Sequence, residues 1–591
     1  MAKMGGGERE HTNDGACRWD WVAATALFVA TACVVLWQNS RLAVLWDLSY
    51  IIDSAARIAS GQTPYRDFPF AHAPLTFLIQ AGILKLAGRV YWPHIAYCAL
   101  VGALSSLAAW RIVLNVLRPC LPRARLLAFL LCLPLPVLGV YSIFPHPFYD
   151  PDCIAAVLAS LLLLQGMDRR PDSVVRALAA GASIVVPVFI KQNIGVVFLA
   201  AAALVLALLA IIEFFRKQST RRYLFCFGGM GAALIFALAV VQVTAGLDNY
   251  WRWTIGFAAA RRMPAMADMA AIYSDQSLWG WLAVSALGVA LLRFNRGRRR
   301  VLDVVGGVTV AAPFVWAAAS LGLDADPGDQ TGQLLAVWPY ALIAGLLWLG
   351  LDRRWPADLT SGLTPIIVAA MQGAFLSQQL WGSTFAIWPL LSVLLACALA
   401  SLAHYSKSSI WMPISSAALV SASLLIAGGA YVATHARLNY AEVDDGRLRH
   451  ATIAPLLGLS LRGDQIPDFE ALLAYAQRNI PIEDGIVLIP GEDPFYFATG
   501  RRPQFPVLLF DRSTNPYSVE ELAALCVERR IRWLVVKRRL QLQGDPVEHR
   551  DQLMSALTRI YAPVAQLHNY EVYRLRPIAT APASRPKLRA H

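Results

Sequence analysis

Residues 46–77, WDLSYIIDSAARIASGQTPYRDFPFAHAPLTF, put Asp47, Asp53, Arg66, Asp67 and His72 between two apolar runs. A linking segment this long and this mixed in charge has the character of a functional loop. Three more polar clusters punctuate an otherwise apolar chain: His146, Asp150 and Asp152 in PHPFYDPD, then Lys191, Gln192 and Asn193, then Arg252, Arg261, Arg262, Asp268 and Asp275. A carboxylate of this kind can take a proton from a hydroxyl as a general base. Cations at a membrane edge can hold a phosphate while charge develops on it. His146, Asp150 and Asp152 offer imidazole and oxygen ligands to a divalent metal. Plainer readings stand beside each: a solvated loop for 46–77, a helix N-cap for Asp152, a snorkelling side chain for Lys191, and headgroup anchors for Arg261 and Arg262.

The elements that would carry these groups follow from composition. The chain has 591 residues, of which 57% are hydrophobic and 15% charged; soluble domains carry about 25% charged residues. Its long apolar runs, each near the ~20 residues a crossing needs, read as about thirteen transmembrane helices. They fall at about 19–39, 92–117, 125–143, 153–167 and 176–190, a sixth running down to FFRKQSTRR, a seventh at about 223–246, an eighth ending at RFNRGRRR (293–300), and five more at about 301–322, 334–351, 363–380, 386–404 and 411–433. The basic turns LRPCLPRAR, MDRRPDSVVR, FFRKQSTRR, RFNRGRRR and DRR alternate with acidic, aromatic and proline-rich turns. Cytoplasmic loops are rich in Lys and Arg. The expectation is therefore a cytoplasmic tail at 1–18, a membrane domain at 19–433 with its first external loop at 40–91, and a C-terminal region outside. The net charge of +13 then reports orientation, and nucleic acid is not the expected partner. The nine cysteines contain no CxxC pair and no disulfide framework.

Within the first loop, Ile51, Ile52, Ala55, Ile58 and Ala59 recur at helical spacing. This predicts an amphipathic helix from Tyr50 to Ser60 lying on the membrane surface, with a second, half-buried helix from Leu75 to Ala87. Residues 434–577 alternate helical and strand patterns, with strands at GIVLIP (485–490), IRWLVVK (531–537) and VYRLRP (572–577), helices at 468–480 and 519–530, and a turn at GEDPFYFATGRRP (491–503). That predicts a small α/β domain, followed by a disordered tail at 578–591.

The order of residues in the first loop resembles the GT-C superfamily of membrane glycosyltransferases, which includes the protein O-mannosyltransferases and the lipid A aminoarabinose transferases. Asp47 matches the catalytic acid, and Asp53 with Ala55 matches the acid-x-Ala of the helix behind it. VFIKQNIG resembles the segment that carries a lysine in many members, and PHPFYDPD is similar to their second external loop. Leu48 departs from the adjacent acidic pair common in the superfamily. The resemblance implies transfer of a sugar from a polyprenyl-phosphate donor to a lipid, glycan or protein acceptor on the outer face of the cytoplasmic membrane. Asp47 and Asp53 would be the catalytic acids, Lys191, Arg66, Arg261 and Arg262 would bind the donor phosphate, and Asp150, Asp152 and His146 would supply a second acid or a metal site. No cofactor is required by this reading, and a divalent metal is left open. The alternative is a transporter or flippase of lipid-linked saccharides; against it, the polar groups gather at one face and no pair of symmetric broken helices is present.

Overall fold

The computed structural model describes residues 18–295, 298–323, 337–351, 358–377, 384–403, 410–433, 446–542 and 545–576. The expected N-terminal and C-terminal tails, the DRR turn and the junction at 434–445 lie outside them, apart from Arg18 at the end of the first tail. The chain is a multi-pass helical membrane protein. Among the described residues, eight helices are long and apolar enough to cross a membrane. Five of them are α1 (Arg18–Asn39), α4 (Trp92–Leu117), α7 (Tyr149–Arg169), α9 (Gln192–Phe215) and α10 (Arg221–Thr244). The other three are Gln276–Asn295, Arg300–Ser320 and Trp411–Ala433.

All thirteen expected segments contain helix. Four are shorter than a full crossing: Val174–Phe189, Val337–Gly350, Leu359–Ala374 and Trp388–Leu402; the second and fourth run up to residues outside the described set. The expected third span is broken instead, into α5 (Ala124–Cys132) and the single turn α6 (Leu135–Leu138). Pro134 and Pro136 remove backbone donors there, which stops a helix. The first three quarters of Val174–Phe189 is α8 (Val174–Val185), and it presses on α10 through small residues. A Cβ on Gly181 would lie 1.8 Å from the Cys226 carbonyl oxygen, and one on Gly229 would lie 2.2 Å from that of Leu178. Such close backbone approach is how membrane helices pack without a hydrophobic drive.

Outside the bundle, β1 (Leu448–His450) and β2 (Ser460–Arg462) form an antiparallel hairpin. A four-stranded sheet follows, made of β3 (Gly485–Ile489), β4 (Ile531–Lys537), β5 (Tyr561–Leu567) and β6 (Tyr570–Leu575), in the order β3-β4-β6-β5. The β3–β4 pair is parallel and the rest antiparallel. Side chains alternate across a sheet. Val487, Ile489, Leu534 and Val536 accordingly pack against the helices Val519–Glu528 and Asp545–Leu557. Ile486, Leu488, Trp533 and Val535 pack on the opposite side, with the helix Gln465–Asn479. The expected turn at 491–503 contains a short helix, Phe495–Thr499.

That second core also contains Leu45, Leu48 and Ile52 of α2 (Leu45–Ala59), while Trp46 and Ile51 belong to the core of the bundle. The expectation of a helix lying on the membrane surface is thus corrected. The helix starts five residues earlier than expected, at Leu45, and is wedged between the membrane bundle and the C-terminal domain. Polar bonds fasten the wedge. The Ser49 hydroxyl donates to Gly491 O at 2.8 Å, and the buried Arg57 guanidinium donates to Pro506 O at 2.8 Å while lying 4.1 Å above the Phe68 ring. The buried Asp53 carboxylate accepts the backbone N–H groups of Tyr496 (3.2 Å) and Phe497 (2.7 Å).

Burial lifts the Asp53 carboxyl to about 8, against the opposing effect of those donors. The folded protein therefore holds this proton more tightly than the unfolded chain does. The site's contribution to stability is full below about pH 4 and is lost as the pH rises through about 8. Asp53→Asn copies the neutral carboxyl. We expect the thermal midpoint of the solubilised wild type to fall between about pH 5 and pH 9 by more than that of Asp53→Asn; equal slopes would mean that Asp53 does not titrate in this window.

Candidate functional site

Two adjoining clefts meet above α2. The first encloses about 840 Å3, counted with its open mouth. Its floor is the first two turns of α2, where Trp46, Asp47 and Tyr50 face inward. Asp47 is the third residue of the helix, where the positive end of the helix dipole favours a carboxylate. Phe144, Phe148, Tyr149 and Asp150 form one wall, and Leu509, Ser513, Thr514 and Leu542 of the C-terminal domain form the other. The loop leading to α7 is fixed to the end of α1, since the Asn39 amide donates to Pro145 O and that of Gln38 to Ser142 O.

The second cleft, about 970 Å3 with its mouth, is lined by Lys191, Gln192 and Asn193. Apolar side chains Val196, Val197, Ile255 and Met263 line it as well. Lys191 sits where the chain turns from the 3-10 turn Val186–Phe189 into α9. Gly195 permits that reversal, because a Cβ there would lie 2.3 Å from Val188 N. Arg262 follows α10 through a widened, π-helical turn at Arg252–Phe257.

His72, Tyr149, Arg262 and Ser377 line both clefts. The His72 ring packs 4.6 Å from Tyr149 and 5.1 Å from Tyr50. Its Nδ1 is 2.7 Å from the Tyr50 hydroxyl, and its buried Nε2 has no hydrogen-bond partner among the described residues. Burial first, and then the charges of Arg262 and Lys191, hold this imidazole well below the usual histidine range. It is neutral at physiological pH and keeps one ring nitrogen for a ligand. Arg262 donates to the Ser513 carbonyl at 3.3 Å. Among the described residues it has no ion-pair partner.

The residues singled out by sequence thus separate into two groups. Asp47, Asp150, Lys191 and Arg262 converge. Asp150 and Lys191 form a buried ion pair, and the Lys191 ammonium lies 5.4 Å from the Tyr149 ring centroid. His72, Gln192 and Asn193 line the clefts as well, whereas Asp53, Arg66, Arg261, Asp152 and His146 lie outside both. Asp53 fastens the C-terminal domain. Arg66 is exposed and paired with Asp67 at 2.9 Å. Arg261 is exposed and donates to Arg512 O at 3.4 Å. Asp152 accepts the hydroxyls of Thr76 (2.7 Å), Tyr97 (2.8 Å) and Tyr141 (2.6 Å), and so ties α3 (Leu75–Ala87), α4 and the preceding loop to α7. It is not the N-cap of α7, a place taken by Phe148. His146 is buried against Phe144, 4.3 Å between ring centroids. His146, Asp150 and Asp152 therefore do not converge on one point, and among the described residues no group of three or more His, Cys, Asp or Glu side chains could hold a metal.

Sequence reasoning placed His72 in the first polar cluster without a specific role and passed over Tyr50 and Tyr149 as site residues. The signal available was their aromatic character beside Asp47 and Asp150. It also passed over Gln541, whose amide oxygen accepts the Leu45 N–H at 2.7 Å; the two residues are 496 positions apart and no local pattern joins them.

No protein-family model and no curated protein matches the sequence. Among solved structures, the chain is similar to ArnT from Cupriavidus metallidurans bound to undecaprenyl phosphate, at 14% identity over 94% of this chain and 98% of that one, with a TM-score of 0.43. It is also similar to the apo oligosaccharyltransferase of Archaeoglobus fulgidus, at 12% identity over 88% and 69% of the two chains, with a TM-score of 0.46.

Removing one member of a buried ion pair strands the other charge and typically costs about 3–5 kcal/mol. Lys191→Met should therefore lower the thermal midpoint sharply, and Lys191→Met combined with Asp150→Asn should recover most of the loss. A double variant as unstable as the single one would show that the Lys191 stem, not its charge, matters.

Proposed function

We propose that this protein is a membrane glycosyltransferase that moves a sugar from a polyprenyl-phosphate donor to an acceptor hydroxyl on a lipid, glycan or protein. The observation that carries the reading is the junction of the two clefts. One has apolar walls suited to a prenyl chain and cations at its polar end; the other holds a carboxylate, Asp47, at the opposite side of a shared wall.

In this reading the donor phosphate meets Arg262 and Lys191. Arg262 is the principal cation, because Asp150 already neutralises much of the Lys191 charge. His72 Nε2 is placed to contact the phosphate or the sugar between them. The acceptor enters the Asp47 cleft and gives its hydroxyl proton to the Asp47 carboxylate. Its oxygen bonds to the anomeric carbon as the bond from that carbon to the phosphate oxygen breaks. The electron pair leaves on the phosphate, and polyprenyl phosphate is released. Attack opposite the leaving group inverts the anomeric centre. The leaving group is a stabilised anion, so no strong general acid is needed. Base catalysis contributes about 10²–10⁴-fold, and the preorganised cations act where negative charge grows. The reading places the N-terminus in the cytoplasm and the clefts on the outer face of the cytoplasmic membrane.

Purified protein should release or transfer radiolabelled sugar from a polyprenyl-phosphate donor, and Asp47→Asn should lower that rate about 10²–10⁴-fold. Arg262→Ala should raise the donor KM, while Asp53→Asn should keep turnover. Unchanged activity in Asp47→Asn would remove Asp47 as the base. A folded sample inert towards all common donors would turn the reading towards transport.

A further inference from the structure

The wall opposite the membrane bundle does more than enclose the first cleft. The residue before α2, Val44, supplies no side-chain cap, and a helix N-terminus leaves its first N–H groups without internal partners. Gln541 meets that need from the other end of the chain. Its Oε1 accepts the Leu45 N–H at 2.7 Å and its Nε2 reaches Ala43 O at 3.4 Å, so one buried amide grips the turn on both sides. Asp47 lies two residues beyond the gripped N–H.

Gln541 is itself held rigidly. Glu492 Oε1 accepts its backbone N–H at 2.7 Å and that of Leu542 at 3.3 Å. The Glu492 side chain is fully buried and pairs with Lys537 at 2.7 Å. Lys537 also binds Asp493 at 2.8 Å, and Asp493 accepts the Tyr570 hydroxyl at 2.9 Å. Leu542, next in the chain, lines the same cleft as Asp47. A buried charged cluster is expensive to assemble, and its best-attested use is to fix one geometry.

We infer that Gln541 is a positioning residue for Asp47: it clamps the first turn of α2, and the buried Glu492–Asp493–Lys537 cluster of the C-terminal domain holds Gln541 in place. This inference rests on the reading of Asp47 as the base. Clamping keeps the Asp47 carboxylate within the field of an ordered helix terminus, which favours its ionised form.

The experiment compares the pH–rate profiles of the full-length wild type, Gln541→Leu, Gln541→Glu and Asp47→Asn with a polyprenyl-phosphate sugar. Misplacing a reacting group by about 1 Å can cost 10²-fold, so Gln541→Leu should lose roughly 10–100-fold in kcat. Its acidic limb should move up by roughly half a pH unit as the helix end frays. Gln541→Glu retains an acceptor for the Leu45 N–H and should recover most of the lost turnover. A purely structural defect would reduce the active fraction and scale the profile without moving its limb, and that result would overturn the inference. So would a Gln541→Leu profile identical to wild type while Asp47→Asn is inactive, which leaves the base assignment standing. Full activity in Asp47→Asn would overturn both.

Discussion

Burying a helix against a membrane bundle on one side and a soluble domain on the other leaves few ways to satisfy its polar groups, and α2 shows what that demands. Of its fifteen residues, ten are buried. Asp53 and Arg57, which would cost several kcal/mol each if left unpaired, are met by backbone groups of the C-terminal domain. Each such bond fixes the domain over the membrane face. The helix is consequently both a structural key and the floor of the first cleft, and the position of Asp47 depends on two cores at once.

The second organising constraint is electrostatic. Lys191 and Asp150 cancel one another within the wall between the clefts, so this buried region carries little net charge until a ligand arrives. Arg262 has no ion pair among the described residues and donates to a carbonyl, and its charge reaches both His72 and Tyr50. A guanidinium without an ion-pair partner keeps donors for an anion in the space beside it. The neutral His72 imidazole adds directionality without adding charge.

How much of this was legible beforehand differs by scale. Apolar runs and basic turns gave the helical membrane architecture, because lipid permits few alternatives to a closed backbone. Local periodicity gave α3, Gln465–Asn479, β3 and β4. It failed at 125–143, where two prolines outweigh hydropathy, and at α2, whose apolar stripe faces protein and not lipid. An amphipathic pattern reports burial and is silent about the partner. For the site, Asp47, Asp150, Lys191 and Arg262 were visible as charges at one membrane edge. Asp53 and Asp152 carried the same signal and are occupied with backbone and hydroxyl groups, a difference that only three-dimensional neighbours reveal.

The clamp on Leu45 comes from a residue 496 positions later. At synthesis rates of roughly 5–20 residues per second, about 25 to 100 seconds separate the emergence of the two residues. The bundle can therefore insert and pack with its first loop still unlatched. A chain that stalls or is cut before residue 541 would carry all the charged groups of the bundle and lack the grip on α2. The C-terminal domain thus supplies a grip on α2 that the bundle by itself does not contain.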